Sequence, residues 1–326
     1  MSRLLALVVA AVLVACPFVA AQTTTKPATT QAGSAEAPSN RSRVLIISVD
    51  GLRPDLALRC KMPNLRSLVE SGSYSFWART VPHAITLPSH VSMLTGVVPR
   101  KHKVEWNDDL PLSKPVYPAF PTLFGVAKKA GYTTALAAGK MKFGALCAPE
   151  TVDWQFLPTQ YECEDDEVAL AATQMIRSHQ PQVMAIHLPT VDSVGHAKGW
   201  GTREQVVAIE QADAHVGAIL TALSDVSLRE STFIILTADH GGAGLTHLAD
   251  DFRARYIPWI ITGPGIRKGV DLTVYDKLVI NTEDTFATAC KLLNLPLDPR
   301  LDGKPVVPIP ESPGELLRAE GTPLTP

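Results

Sequence analysis

Short apolar runs of strand length recur along this chain of 326 residues, and several are followed by acidic or histidine side chains. Arg43–Val49 precedes Asp50-Gly51, and Thr232–Leu236 precedes Thr237-Ala-Asp-His-Gly-Gly242. Runs rich in valine, isoleucine and leucine are typical of parallel strands that are buried on both faces. We therefore predict an α/β fold with a mostly parallel central sheet that is flanked by helices on both faces.

The polar residues that follow these runs are candidates for a binding site. Open α/β sheets bind their ligands beyond the carboxyl ends of the strands, so we expect Asp50, Asp239 and His240 at one edge of the sheet. Taken singly, each could also be a turn or cap residue. An adjacent carboxylate and imidazole can, however, supply an oxygen and a nitrogen to one metal ion.

A third predicted strand, Gln182–Leu188, is followed by Asp192 and His196. These two residues are four apart, so both can face one metal ion from a single turn, and Gly195 lets the backbone fold tightly between them. His196 could instead be a solvent-facing loop residue. His187 lies inside the apolar run, and we interpret it as a hydrogen-bonded core histidine.

His247 extends the candidate set. It lies between the Asp239-His240 pair and a further predicted strand, Tyr256–Thr262. The separation is short enough for the intervening loop to fold back over the same edge of the sheet. We therefore count His247 among the candidate metal ligands.

Thr86 is a candidate nucleophile. Pro88 fits the first turn of a helix that runs to about Thr95, which puts Thr86 just before the amino end of that helix. Free N–H groups and the helix dipole favour an anion there. The hydroxyl can therefore be an N-cap or a nucleophile that attacks phosphate.

Three further residues are candidates for substrate binding. Asn107 could donate its amide hydrogens to a phosphoryl oxygen, although a turn asparagine is the alternative. Lys140 and Lys142 follow the predicted strand Thr133–Ala138, which brings two ammonium groups to the same edge. They could contact phosphate or be solvated lysines.

The candidates for metal binding comprise three carboxylates, three imidazoles and one hydroxyl, all at predicted turns after strands: Asp50, Thr86, Asp192, His196, Asp239, His240 and His247. Carboxylates this close repel one another unless cations balance them. Neutral imidazoles suit zinc better than magnesium or calcium. We therefore predict a site for two Zn²⁺ ions.

The net charge and the spacing of the cysteines argue against a nucleic-acid-binding protein and against a thiolate metal site. The formal net charge is −2 and no run of lysine or arginine occurs, so we expect no nucleic-acid scaffold binding and no polybasic membrane patch. The five cysteines lack the CxxC spacing of a thiolate metal site. Cys147 and Cys163 could close a loop in an oxidising compartment or remain reduced.

The first residues indicate export. Arg3 precedes the apolar segment Leu4–Ala15, which is too short to span a bilayer as a mature helix. Two processing routes stay open. Either residues 1–21 are an ordinary signal peptide, or residues 1–15 are removed and Cys16 is lipidated.

The predicted organisation is a signal segment followed by three parts: a flexible linker at 22–42, a globular domain at 43–310 and a tail at 311–326. We expect a periplasmic or secreted protein, and lipidated Cys16 would give it a membrane anchor. The sequence gives no indication of a protein partner.

The motifs together resemble those of the alkaline phosphatase superfamily, most closely its type I phosphodiesterase/nucleotide pyrophosphatase branch. The resemblance covers most of Arg43 to Val307 and lies in the order of five segments: Val49-Asp50-Gly51, Thr86-Leu-Pro-Ser-His90, Asp192-Ser-Val-Gly-His196, Asp239-His240-Gly241, and Thr246-His247 leading to Ile257-Pro-Trp. It implies the alkaline phosphatase-like fold and hydrolysis of a small-molecule phosphoester.

The resemblance also implies a role for each residue. One zinc ion would be held by Asp192, His196 and His247. The other would be held by Asp50, Asp239, His240 and the Thr86 oxygen. Thr86 would attack phosphorus in line and form a phospho-threonine intermediate, while Asn107 would contact a phosphate oxygen.

The residue type of the candidate nucleophile limits which reaction of the superfamily the chain can catalyse. Sulfatases of this superfamily need cysteine or serine, which Thr86 cannot replace, whereas threonine fits the phosphodiesterase branch. Certain bacterial phosphomonoesterases also use threonine, together with a Lys-x-Arg pair; Lys140-Met-Lys142 departs from that pattern in its second cation. A Thr-dependent phosphomonoesterase with alkaline phosphatase activity is the first alternative. A phosphoethanolamine-type transferase or a non-catalytic envelope protein is the second.

Overall fold

The computed structural model describes residues 41–108, 116–248, 250–275, 277–307, 316–318 and 323–324. The predicted signal segment, Cys16 and nearly all of the predicted linker lie outside the described residues, as does most of the predicted tail. The domain boundaries therefore stay predictions.

The centre of the fold is a mixed sheet of eight strands among the described residues. They are β1 Arg43–Val49, β2 Ser73–Arg79, β3 Thr134–Ala138, β4 Trp154–Phe156, β5 Val183–Leu188, β6 Thr232–Thr237, β7 Tyr256–Thr262 and β8 Val270–Asp271. Their order is β4-β3-β5-β1-β6-β7-β2-β8. Within this sheet only β7 runs antiparallel to its neighbours, which confirms the mostly parallel sheet. Three short strands, β9 Val306–Val307, β10 Leu316–Arg318 and β11 Pro323–Leu324, form a separate sheet.

Sequence patterns identified the five strands that are buried along most of their length, namely β1, β3, β5, β6 and β7. The patterns missed β2, whose sequence Ser-Tyr-Ser-Phe-Trp-Ala-Arg mixes polar and apolar residues. Burial along β2 is interrupted, and its pairing with β7 contains an irregularity between Ser75 and Ala78. Such a strand has neither a continuous apolar run nor a strict alternation to reveal it.

Ten α-helices lie in the described part of the chain: α1 Pro54–Arg59, α2 Pro63–Ser71, α3 Thr86–Thr95, α4 Pro99–His102, α5 Leu123–Lys129, α6 Asp165–His179, α7 Thr190–Lys198, α8 Arg203–Asp225, α9 Phe252–Arg255 and α10 Asp284–Leu292. They form two packed groups. Helices α2, α6 and α7 contact α8, whereas α3, α5 and α10 contact one another. This arrangement agrees with the predicted α/β architecture.

Helix α8 is long and apolar enough to cross a membrane, but its packing is that of a core helix. Its buried face includes Ala208, Ile209 and Val216. Asp213 on this face is also buried, and its Oδ1 accepts a hydrogen bond of 2.8 Å from Leu65 N at the start of α2. A buried carboxylate at a helix N-terminus is stabilised by the free N–H groups there.

Helix α7 differs from the sequence-based expectation of a tight turn around Gly195. Asp192 and His196 instead lie one helical turn apart within a regular helix. The absence of a side chain at Gly195 allows close packing, because a Cβ there would lie 2.8 Å from the Gln205 amide nitrogen and 2.8 Å from the Trp200 ring.

We expect Gly195→Ala to lower the free energy of unfolding by about 1–3 kcal/mol, because the added methyl group must displace Trp200 or Gln205. Gly125→Ala is the matched control within helix α5. A Cβ at Gly125 meets only ordinary contacts of 3.5 Å and 3.7 Å, so this change should be neutral or stabilising by up to about 1 kcal/mol. Urea unfolding of both variants measures the difference, and equal stabilities would contradict the packing argument.

Candidate active site

The carboxyl edge of the sheet brings the candidate ligands together. Asp50 directly follows β1, and Asp239 and His240 follow the neighbouring strand β6. Asp192 lies in α7, which follows β5 on the other side of β1. These four residues are at most 3% exposed.

Each of the three buried carboxylates has one oxygen that is hydrogen-bonded and one that is not. Asp50 Oδ2 accepts from His187 Nε2 at 2.9 Å, and Asp239 Oδ1 accepts from Gly51 N at 3.1 Å. Lys140 Nζ lies 2.7 Å from both Asp50 Oδ2 and Asp192 Oδ2. The remaining oxygens, Asp50 Oδ1, Asp192 Oδ1 and Asp239 Oδ2, have no hydrogen-bond partner. Buried oxygens of this kind need a cation or another donor.

The unpartnered oxygens converge on His240 Nε2. This nitrogen lies 3.2 Å from Asp239 Oδ2, 3.5 Å from Asp50 Oδ1 and 4.0 Å from Asp192 Oδ1. It also lies 3.4 Å from Thr86 Oγ1. The nucleophile candidate and the ligand candidates therefore share one small volume.

The three candidate imidazoles are oriented in the same way. His240 Nδ1 contacts Gly241 O at 2.9 Å, His247 Nδ1 contacts Ala84 O at 2.7 Å, and His196 Nδ1 contacts Leu245 O at 2.9 Å. A carbonyl oxygen only accepts hydrogen bonds, so Nδ1 carries the hydrogen in each ring. In the neutral ring Nε2 is then available to a metal ion, as in many protein metal sites.

The residues form two groups that could hold metal ions, Asp50–Asp239–His240 and Asp192–His240–His247. The rings of His240 and His247 are stacked with centroids 3.9 Å apart. His196 lies at the solvent side of the second group, where its Nε2 is 3.5 Å from Asp192 Oδ1 and its side chain is 43% exposed. Oxygen and nitrogen donors in these numbers fit a divalent metal ion of the zinc type.

Electrostatics at the site favour bound cations. Burial raises the pKa of Asp239 well above its usual range, and the nearby Asp50 and Asp192 raise it further. Burial also opposes ionisation of Asp50, but Lys140 and His187 hold the pKa of Asp50 well below its usual range. Burial and the neighbouring His240 lower the pKa of His247 to about 4, so this ring is neutral near pH 7.

Thr86 is the first residue of α3, and Ile85 rather than Thr86 occupies the N-cap position. The hydroxyl makes no capping hydrogen bond, so the N-cap interpretation does not describe this residue. The helix is supported from behind by His90, whose ring nitrogens contact Thr86 O and Ser48 Oγ, both at 2.8 Å.

The three candidate substrate-binding residues have different surroundings. Asn107 Oδ1 accepts a hydrogen bond of 2.9 Å from Leu87 N in the first turn of α3, which orients the side-chain amide. Lys142 Nζ donates to Asn107 O at 3.0 Å. Lys140 instead contacts Asp50 and Asp192 and is buried, so the solvated-lysine alternative does not describe it.

Sequence patterns did not identify His187 as part of the site. The histidine does lie in the core, as expected, but its partner is the candidate ligand Asp50. Its place in the register, opposite Ser48 on β1, is the signal that could have revealed this contact. That signal requires knowing that β1 and β5 are neighbours.

Comparisons with known proteins find relatives of this chain by sequence and by fold. Residues 44–254 match the family model described as type I phosphodiesterase/nucleotide pyrophosphatase. An uncharacterized pyrophosphatase/phosphodiesterase of Schizosaccharomyces pombe is 26% identical over 220 residues, which are 62% of this chain and 45% of the relative. Ectonucleotide pyrophosphatase/phosphodiesterase family member 3 of Mus musculus is 23% identical over 262 residues, which are 74% of this chain and 30% of the relative. The chain thus spans less than half the length of these two relatives.

A solved structure has the same fold. Murine ectonucleotide pyrophosphatase/phosphodiesterase 5 superposes with a TM-score of 0.66 at 14% identity, covering 79% of this chain and 96% of that structure.

We expect His247→Ala to bind about one equivalent of zinc fewer than the unchanged protein, because His247 belongs to only one of the two ligand groups. His179→Ala is the control, since His179 ends α6 and stacks on Trp154. Elemental analysis after dialysis against buffered zinc measures the stoichiometry. An unchanged zinc content in His247→Ala would remove this histidine from the metal centre.

Proposed function

The chain belongs to the type I phosphodiesterase/nucleotide pyrophosphatase family, and we propose that it is a two-zinc phosphodiesterase or nucleotide pyrophosphatase with Thr86 as its nucleophile. Its substrate is a small-molecule phosphoester or phosphoanhydride. One observation supports this proposal most strongly. The Thr86 hydroxyl lies beside His240 Nε2, and the carboxylate oxygens that have no hydrogen-bond partner surround the same nitrogen.

Two sets of side chains would hold the metal ions. One set is Asp192 and His247, joined by His196 from the solvent side. The other is Asp50, Asp239 and Thr86 with His240, which is close enough to Asp192 and His247 to belong to either group. A bound divalent metal ion would supply Lewis acidity here, since such an ion neutralises developing negative charge and lowers the pKa of a coordinated hydroxyl or water. The imidazole share of the donors favours zinc over magnesium and calcium.

The chain's own residues position the reaction. Thr86 Oγ1 loses its proton and forms the new bond to phosphorus while the bond to the leaving oxygen breaks. This yields phospho-threonine, and the leaving group departs as an alcohol after gaining a proton, or as a phosphate anion. Water then hydrolyses the phospho-threonine. Asn107 is held by Leu87 N through its Oδ1, so its amide hydrogens are available to a phosphoryl oxygen.

The surroundings of the two lysines favour a diester or anhydride over a monoester. A monoester has an additional negative charge that needs a cation in the pocket. The ammonium group of Lys140 already pairs with Asp50 and Asp192, which leaves Lys142 as the candidate for that role. Lysine also cannot form the bidentate hydrogen bonds with which arginine binds phosphate.

Export remains part of the proposal. The apolar segment Leu4–Ala15 indicates a signal peptide at 1–21 or lipidation of Cys16. Either route would place the catalytic domain outside the cytoplasm, with residues 22–42 as a linker.

We expect Thr86→Ala to lower kcat/KM for bis(4-nitrophenyl) phosphate by about 10³-fold or more, because the nucleophile is lost. Thr86→Ser keeps a hydroxyl and should retain measurable activity. Thr95→Ala is the control in the same helix, where the Thr95 hydroxyl donates a hydrogen bond to Val91 O. Hydrolysis by Thr86→Ala at the rate of the unchanged protein would exclude Thr86 as the nucleophile.

We expect kcat/KM for bis(4-nitrophenyl) phosphate to exceed that for 4-nitrophenyl phosphate by about 10-fold or more, because a monoester finds little additional positive charge in the pocket. Lys142→Met should lower monoester hydrolysis more than diester hydrolysis. Steady-state kinetics on both substrates measure the ratio. A preference for the monoester would favour the Thr-dependent phosphomonoesterase instead.

A further inference from the structure

Lys140 has the most unusual surroundings of the cationic side chains at the site. It directly follows β3 and Gly139, and it is 4% exposed. Its ammonium group lies 2.7 Å from Asp50 Oδ2 and 2.7 Å from Asp192 Oδ2, with Glu162 Oε2 at 4.0 Å. A buried lysine is stable in its charged form only when carboxylates compensate for the loss of water.

The backbone holds Lys140 in this position. Lys140 pairs with Glu162 in an isolated β-bridge, and Gly139 N donates to His187 O at 3.3 Å. Gly139 has no room for a side chain, because a Cβ there would lie 2.4 Å from Pro189 at the start of α7. The end of β3 is therefore pressed against the helix that carries Asp192.

The two contacts of Lys140 join different ligand groups. Asp50 belongs to one candidate metal group and Asp192 to the other. Lys140 Nζ donates to the Oδ2 atom of both carboxylates. The Oδ1 atom of each carboxylate has no hydrogen-bond partner and lies within 4.0 Å of His240 Nε2. The ammonium group thus fixes the outer oxygens and orients the inner oxygens toward the metal positions.

We propose that Lys140 is a positioning residue, a built-in counter-ion that holds the carboxylates of both metal groups in place when metal is absent. This inference rests on the proposed function only for the identity of the metal ligands. It replaces a direct contact between Lys140 and the substrate's phosphoryl group.

The charges around Lys140 predict how its removal should affect the stability of the protein with and without metal ions. Without metal, Lys140 supplies positive charge next to the three buried carboxylates, so its removal leaves Asp50 and Asp192 without their cation. When two divalent ions are bound, they supply most of the compensating charge. The loss of Lys140 should therefore matter more in the metal-free protein than in the zinc-loaded protein.

The test compares Lys140→Met with Lys142→Met in the full chain, each with zinc removed by chelation and each saturated with zinc. In the metal-free state we expect Lys140→Met to lower Tm by about 5–15 °C, the scale of breaking a buried ion pair in a domain of this size. Added zinc should recover at least about half of that deficit. Lys142→Met is a matched control, because Lys142 is a similarly buried lysine two residues away whose ammonium group contacts Asn107.

A double variant keeps the test decisive if Lys140→Met fails to fold. Lys140→Met combined with Asp192→Asn removes the cation together with one carboxylate, so it should be more stable without metal than Lys140→Met alone. The proposal is overturned if Lys140→Met has the metal-free Tm of the unchanged protein and only raises KM or weakens inhibition by inorganic phosphate. Calorimetry does not depend on hydrolysis, so failure of the proposed reaction would be seen separately with Thr86→Ala.

Discussion

Three buried carboxylates with inward-facing, unpartnered oxygens are the feature on which the rest of this site depends. Asp50, Asp192 and Asp239 approach one imidazole nitrogen, His240 Nε2, to within 4.0 Å. Such a cluster is stable only if cations or hydrogen-bond donors compensate for lost hydration and mutual repulsion. On the outer side Lys140 compensates part of the charge and His187 donates a hydrogen bond to Asp50, and the inner side has donors that could hold a metal ion.

The topology of the sheet explains why these residues meet. Strand β1 lies between β5 and β6, and all three run in the same direction. Their carboxyl ends therefore meet at one edge, although β1 lies well over 100 residues before both β5 and β6 in the chain. Helix α7 follows β5 and fixes the spacing of two further candidate ligands, because Asp192 and His196 lie one helical turn apart.

Hydrogen bonds from the surrounding backbone orient the candidate metal ligands. The carbonyl oxygens of Gly241, Ala84 and Leu245 select the same ring tautomer in three histidines. Gly51 N donates a hydrogen bond to Asp239 Oδ1, and Asp239 Oδ2 faces inward without a partner. Main-chain groups thus orient the three histidines and Asp239, whereas the side chains of Lys140 and His187 contact the outer oxygens of Asp50 and Asp192.

The sequence alone determined the buried parallel strands and the chemistry at their ends. Apolar runs such as Thr232–Leu236 predict buried strands because no other element buries a short β-branched run as well, and the polar residues after them must then reach the sheet edge. Local patterns also indicated Thr86 beside a helix N-terminus, one residue from its observed place.

Only the tertiary structure decided how these parts meet. The mixed pattern of β2, the helical rather than turned path of α7, and the contacts of His187 and Lys140 with Asp50 all depend on neighbours that are distant in sequence. A local pattern records what a residue type prefers along its own element. It does not record which strand lies beside it, and that pairing decides whether an ammonium group faces a phosphate or a carboxylate.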